Sequence, residues 1–181
     1  MPGLSVVFYR NMNLGQRLSR SPGRAGLEGA LIAAGGEAVR SFQTNGTVVF
    51  RAEDPRGVVA AAAPALESGW GYRDAGLVRP LDLLADILET DPFDGFRDER
   101  TYRETFTVYE GGTPLSVALP WTSPRDDLDI LDAREGIALG IIRQRGRSVG
   151  SPTSEIERMT GGVATTRTLG TIQRLLRTVG A

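Results

Sequence analysis

Three consecutive residues, Thr165-Thr166-Arg167, directly precede an apolar stripe at helical spacing: Leu169, Ile172, Leu175, Leu176 and Val179. The stripe predicts a closing helix over Thr168–Val179, with Thr168 as its N-cap. A helix N-terminus presents free N–H groups and partial positive charge, so it receives anions. Arg167 adds a planar, bidentate donor and the two threonine hydroxyls add more. The set suits a phosphate or carboxylate. The competing reading is structural: Thr165 and Thr166 cap the helix while Arg167 pairs with a nearby carboxylate. A second polar set, Arg10, Asn11 and Asn13, follows the first apolar run. Loops at strand ends often form sites, although Asn also simply tolerates turn conformations. If the two loops converge, Arg10, Asn13 and Arg167 line one pocket for an anionic small molecule.

Other sets carry less. Arg143, Arg145 and Arg147 alternate and would share one strand face, either as a strip for a nucleic-acid backbone or as outward charges that keep an edge strand soluble. No stacking aromatics are interleaved with them, which favours the second reading. Asp126, Asp127, Asp129 and Asp132 could approach a divalent cation, but the segment lacks the glycine and terminal glutamate of a calcium loop, and a solvated acidic turn is expected. Asp98, Glu99, Arg100, Arg103 and Glu104 read as surface salt-bridge partners. Tyr9 and Tyr102 could act as general acids, and Trp70 and Trp121 could stack on a ligand; packing is the expected role of all four.

Composition removes whole chemistries. The chain has 181 residues, with no Cys, no His and no Lys, so all 21 basic residues are Arg. There is no thiol nucleophile, disulfide or zinc–thiolate site. The usual proton shuttle near neutral pH is missing, as are a Schiff base and a Walker-type phosphate loop. Any metal would need carboxylate oxygens, and neither a metal nor a cofactor is expected. The net charge is −1, so no global field draws the protein to nucleic acid. No apolar run is long enough to span a bilayer and the start lacks a secretory pattern. A cytoplasmic protein with no membrane partner is expected; the oligomeric state is left open.

These residues must be held by elements that the pattern outlines. Leu4–Arg10 reads as a strand. Ser21-Pro22 reads as a helix start, and Leu27, Ala30, Leu31 and Ala34 give its apolar face. Ala38–Gln43 and Thr47–Ala52 flank the turn Thr44-Asn45-Gly46, a hairpin. Asp54-Pro55 opens a second helix, which Pro64 should kink or end. Tyr72–Arg79 reads as a strand. A linking helix over Pro80–Glu89 follows, ended by Asp91-Pro92-Phe93. The pattern then restarts: a strand over Arg103–Tyr109, a short helix over Pro114–Pro120, strands over Leu128–Asp132 and Ile137–Arg143, a helix opened by Ser151-Pro152, a strand over Val163–Thr166 and the closing helix. The expected fold is therefore α+β: two ferredoxin-like subdomains (βαββαβ) packed together, with a C-terminal helix. Residues 1–79 form the first, 80–100 the linking helix and loop, and 101–181 the second.

Four short motifs, in order, resemble one bacterial family, known as domain of unknown function 1697. Its members begin with a strand ending in Arg-Gly-Ile/Val-Asn-Val-Gly-Gly, similar to Arg10-Asn11-Met12-Asn13-Leu14-Gly15-Gln16. Their hairpin Tyr-Ile-Gln-Ser-Gly-Asn-Val-Val-Phe is similar to Phe42–Phe50, their Asn-Pro-Phe to Asp91-Pro92-Phe93, and their closing Ala-Thr-Thr-Arg-Asn-Trp-Asn-Thr-Val to Ala164–Ile172. The resemblance implies a two-subdomain α+β fold and no particular reaction. This chain departs from the family at Thr44 and Thr47, where Gln and Asn are usual, and at Thr168-Leu169-Gly170, where Asn-Trp-Asn is usual.

The expected function is binding of an anionic small molecule, a phosphate or carboxylate, through Arg10, Asn11, Asn13, Thr165, Thr166 and Arg167. One alternative is a metal-free enzyme using Asp, Glu or Tyr as acid and base with Arg stabilising charge. Another is a nucleic-acid-binding protein, which would need exposed aromatics on central strands; Phe8, Phe50 and Phe106 lie in apolar runs and are expected in the core.

Overall fold

The computed structural model describes residues 2–110, 114–146 and 148–180. The chain is α+β and divides into two compact units, Met1–Leu84 and Ala85–Ala181.

The first unit runs β1 (Leu4–Tyr9), α1 (Arg24–Ala33), β2 (Glu37–Phe42), β3 (Thr47–Arg51), α2 (Pro55–Trp70) and β4 (Gly76–Pro80). Its antiparallel sheet has the order β2-β3-β1-β4. Strand periodicity puts alternate residues on one face. Val7 lies opposite both Val48 and Val78, and with Tyr9 and Phe50 these pack against Leu27 and Leu31 of α1 and Val58, Val59, Ala62 and Leu66 of α2. Burial of each such aliphatic or aromatic side chain contributes roughly 1.5–3 kcal/mol, so the two helices are held by the sheet rather than by local propensity. Two start and stop signals behave differently from the sequence pattern. The N-cap of α1 is Gly23, without a side-chain cap, because the Ser21 hydroxyl is occupied elsewhere: it accepts from the Asn13 N–H at 3.0 Å. Pro64 does not end α2, which continues to Trp70. Apolar residues on both sides of Pro64, Val59 and Leu66, anchor the helix while Pro64 faces solvent.

The helix α3 (Leu81–Glu89) carries the chain from one unit into the other. The second unit contains β5 (Thr101–Tyr109), β6 (Trp121–Thr122), β7 (Leu128–Arg134), β8 (Ile137–Arg145), β9 (Ser148–Val149), α4 (Pro152–Thr160), β10 (Ala164–Thr168) and α5 (Leu169–Val179). The sheet order is β10-β5-β8-β7-β6, with β9 paired to β8. Ser151 caps α4 and Thr168 caps α5, each side chain accepting from the N–H three residues on. Leu128, Ile130, Ala138, Ile142, Ile156 and Met159 form the core against α4.

The expected short helix over Pro114–Pro120 is absent. Leu115, Val117 and Leu119 are half-buried against the core while the residues between them are exposed. That period of two is the signature of extended chain, and it leads straight into β6. Among the described residues, no helix is long and apolar enough to cross a membrane.

Candidate functional site

In the first unit, the loop after β1 and the loop before β4 are strapped together by one carboxylate. Asp74 Oδ2 accepts from Arg10 Nη1 at 3.0 Å and from Asn11 Nδ2 at 2.8 Å, while Oδ1 accepts from the Ala75 N–H at 2.8 Å. The backbone completes the strap: the Arg10 N–H donates to the Ala75 carbonyl, and the Tyr72 hydroxyl donates to the Arg10 carbonyl at 2.7 Å. Asn11 holds the left-handed conformation, φ 52°, which Asn tolerates better than most residues. Partial burial pushes the Asp74 carboxyl upward, but the Ala75 N–H, the Asn11 amide and the Arg10 guanidinium outweigh it, and the group sits below the usual carboxylate range. Asp74 is thus ionised and its charge is matched by Arg10.

Beside this strap opens a cleft of about 310 Å³, lined by Asn11, Ser19, Arg20, Tyr72, Arg73 and Asp74, with Gly71 at its wall. Gly71 caps the C-terminus of α2 at φ 74°, a left-handed turn that glycine makes without strain, and it sends Tyr72 and Arg73 back along the cleft. Arg73 pairs with Glu67 at 2.9 Å, with both side chains more than half exposed. Such pairs contribute little, so Arg73 is available to a ligand. Arg20 is exposed and forms no ion pair among the described residues. The C-terminal end of α2 brings about half a negative charge to the mouth, against the full positive charges of Arg20 and Arg73.

Asn13 belongs to the same loop, but its backbone does the visible work: its N–H donates to Ser21 and its carbonyl accepts from the Ser19 hydroxyl at 3.1 Å. These bonds shape the cleft wall around Ser19 and Arg20.

In the second unit the closing motif is split across the sheet. Thr165 and Arg167 lie opposite Val108 and Phe106, whereas Thr166 lies opposite Thr107 on the other face. Arg167 is 8% exposed, and its Nη1 donates to Thr165 Oγ1 and the Thr166 carbonyl, both at 2.9 Å. Thr166 instead joins a hydroxyl chain with Thr107 at 2.9 Å and Thr153 of α4 at 2.7 Å. Arg10, Asn11 and Asn13 lie in the first unit and Thr165, Thr166 and Arg167 in the second, each group ordered within its own unit.

Much of the remaining polar sequence serves internal ion pairs and hydrogen bonds. Arg143 is not an outward charge on an edge strand: β8 lies between β5 and β7, and Arg143 is buried. Its Nε donates to Asp129 at 2.8 Å, Nη1 to Asp98 at 2.6 Å and to Thr101 at 2.9 Å, and Nη2 to the Phe96 carbonyl at 2.8 Å. The Arg145 side chain and Arg147 lie outside the described residues. Desolvation is the largest single influence on the Asp98 carboxyl and raises it, but the Arg100 N–H, the Arg143 charge and the Thr101 hydroxyl together outweigh it and hold the group below its ordinary value. Of the acidic run, Asp127 is buried and accepts from the Ser123 hydroxyl at 2.8 Å, and Asp129 serves Arg143. Among the described residues, no group of three acidic side chains is placed to hold a metal ion. Phe8, Phe50 and Phe106 are fully buried, so none offers a stacking surface. Tyr9 is buried edge-on to Tyr72, ring centroids 5.7 Å apart, and burial pushes its phenol far up. Arg20 and Arg73 had no motif to mark them; their only signal was position, one after the polar loop and one after the glycine that ends α2.

Two α+β units, with a polar cleft in the first, define a broad class, and comparison narrows it. The sequence profile described as "Protein of unknown function (DUF1697)" matches residues 4–126. The chain belongs to that family. A solved structure, described as the conserved bacterial protein SP0830 from Streptococcus pneumoniae, is similar over 100% of both chains, with a TM-score of 0.67 at 15% identity. That likeness is one of fold. No curated protein matches significantly.

Proposed function

We propose that the protein binds a small anionic molecule, a phosphate or a carboxylate, in the cleft of the first unit. The observation that carries this reading is the charge state of the lining: the charge of Asp74 is already matched by Arg10, with a hydrogen bond from Asn11, which leaves Arg20 and the weakly paired Arg73 as the charges a ligand can reach. Guanidinium forks suit both anion classes. Binding is favoured over catalysis because the carboxylate in the cleft is held ionised, the opposite of what a general acid near neutral pH requires. For the fold, we infer a ferredoxin-like relation for both units. The order β2-β3-β1-β4 supports it in the first, and the order β10-β5-β8-β7 in the second, where an extended segment replaces the first helix.

A thermal-shift screen with inorganic phosphate, sugar phosphates and simple carboxylates tests the function. A ligand at a hundred times its Kd adds about 2.7 kcal/mol, which raises the melting temperature by several degrees. The expected result is a shift that disappears in the double variant Arg20→Ala, Arg73→Ala. A shift that survives there but disappears in Arg167→Ala moves the site to the closing motif.

A further inference from the structure

The cleft shares Tyr72, Arg73 and Asp74 with a second, smaller cavity of about 190 Å³. Its character is different. Val59, Ala63, Leu66 and Glu67 line it from α2, Tyr9 from β1, Gly76 from the start of β4, and Tyr72 from the strap. Tyr9 and Tyr72 meet edge-on at 81°, so two aromatic rings form part of the wall. Gly76 has no space for a side chain: a Cβ there would sit 2.8 Å from the Tyr9 ring and 2.9 Å from a Val59 methyl. The part of the wall made by Tyr9, Val59 and Gly76 is therefore closely fitted and apolar, and the charges in the lining are Asp74, Arg73 and the Glu67 that pairs with Arg73.

We propose that the ligand of the cleft is an anion carrying one compact apolar group, a single ring or a branched alkyl chain. Its charged end lies between Arg20 and Arg73, and its apolar end lies against Tyr9, Tyr72, Val59 and Leu66. This rests on the anion reading of the cleft and specifies the ligand further. Size sets the limit on the apolar part. An apolar cavity of about 150 Å³ holds one benzene ring, so the cavity here accepts a ring or a four- to five-carbon branch of roughly that volume and excludes a long acyl chain. The lining explains the preference, because an apolar group that leaves water gains affinity in proportion to its buried area.

Isothermal titration with inorganic phosphate and with phenyl phosphate separates the two levels of the argument. Wild type is compared with Ala63→Leu, which extends a helix-compatible side chain from the exposed face of α2 into the cavity; the melting temperature of the variant confirms that it folds. The expected result is phenyl phosphate bound about tenfold or more tightly than phosphate by wild type, with this preference lost in Ala63→Leu and phosphate affinity unchanged. Equal affinity for both probes in wild type, or a preference that survives Ala63→Leu, overturns the apolar subsite and leaves the anion cleft standing. No binding of either probe overturns both.

Discussion

In the second unit the Arg143 guanidinium is buried and donates from Nε, Nη1 and Nη2 to Asp129, Asp98, Thr101 and the Phe96 carbonyl. In the first unit Arg20 and Arg73 stand exposed around a cleft whose one carboxylate is matched by Arg10. The residue type is the same and the sheets have related strand orders, but the roles are opposite. Arg143 replaces water with protein acceptors and ties the 96–101 segment to β7 and β8. Arg20 is exposed and Arg73 holds only an exposed pair with Glu67, so a ligand can compete for their donors. In a chain whose every base is arginine, the count of arginines says nothing of function; what matters is whether the acceptors are already built in.

The largest expected effect belongs to Arg143. Removing one partner of a buried ion pair leaves its counter-charges uncompensated, so Arg143→Leu should lower stability by about 3 kcal/mol in urea denaturation. Arg143→Lys should recover only part, because an ammonium cannot serve the separated acceptors that the planar fork reaches. A loss below about 1 kcal/mol, the size of a surface pair, would erase the contrast.

The double variant Arg20→Ala, Arg73→Ala should show the reverse profile. Stability should stay within about 0.5 kcal/mol of wild type, while phosphate affinity falls about tenfold or more, since charge-assisted hydrogen bonds are each worth about 1.5–3 kcal/mol. Titration calorimetry together with urea denaturation reads both arms.

A smaller effect is expected at Asp74. Its carboxyl titrates lower in the folded chain than in the unfolded one, so the unfolded state binds the extra proton as pH falls. The stabilisation from the strap is present above the ordinary carboxylate value of about 4 and is lost as pH drops through the folded value. The melting-temperature gap between wild type and Asp74→Asn should therefore be complete at neutral pH and close in acid. A gap that persists unchanged in acid would mean that Asp74 acts by shape and not by charge.

Much of the scaffold was legible in the sequence. Asp54-Pro55 and Ser151-Pro152 open α2 and α4, and Thr168 caps α5, because those signals are local. The hairpin around Asn45-Gly46 joins β2 and β3 for the same reason. The segment 114–120 is extended and not the expected short helix, because the alternation of Leu115, Val117 and Leu119 sets the outcome. The candidate site was half legible. Asn11 lines the cleft and Arg10 holds its carboxylate, but their partner Asp74 is more than sixty residues away in sequence, and long-range pairing leaves no local mark. The split of Thr165 and Arg167 from Thr166 follows from strand pairing through Thr168, a strand two residues longer at its end than the pattern implied.

The most direct test of the central claim is a titration with inorganic phosphate followed by amide-resolved NMR of the whole chain. The account predicts saturable shifts at Asn11, Ser19, Arg20 and Gly71–Asp74, with Thr165–Leu169 unmoved. Shifts confined to Thr165–Leu169, or none at the cleft, would contradict it.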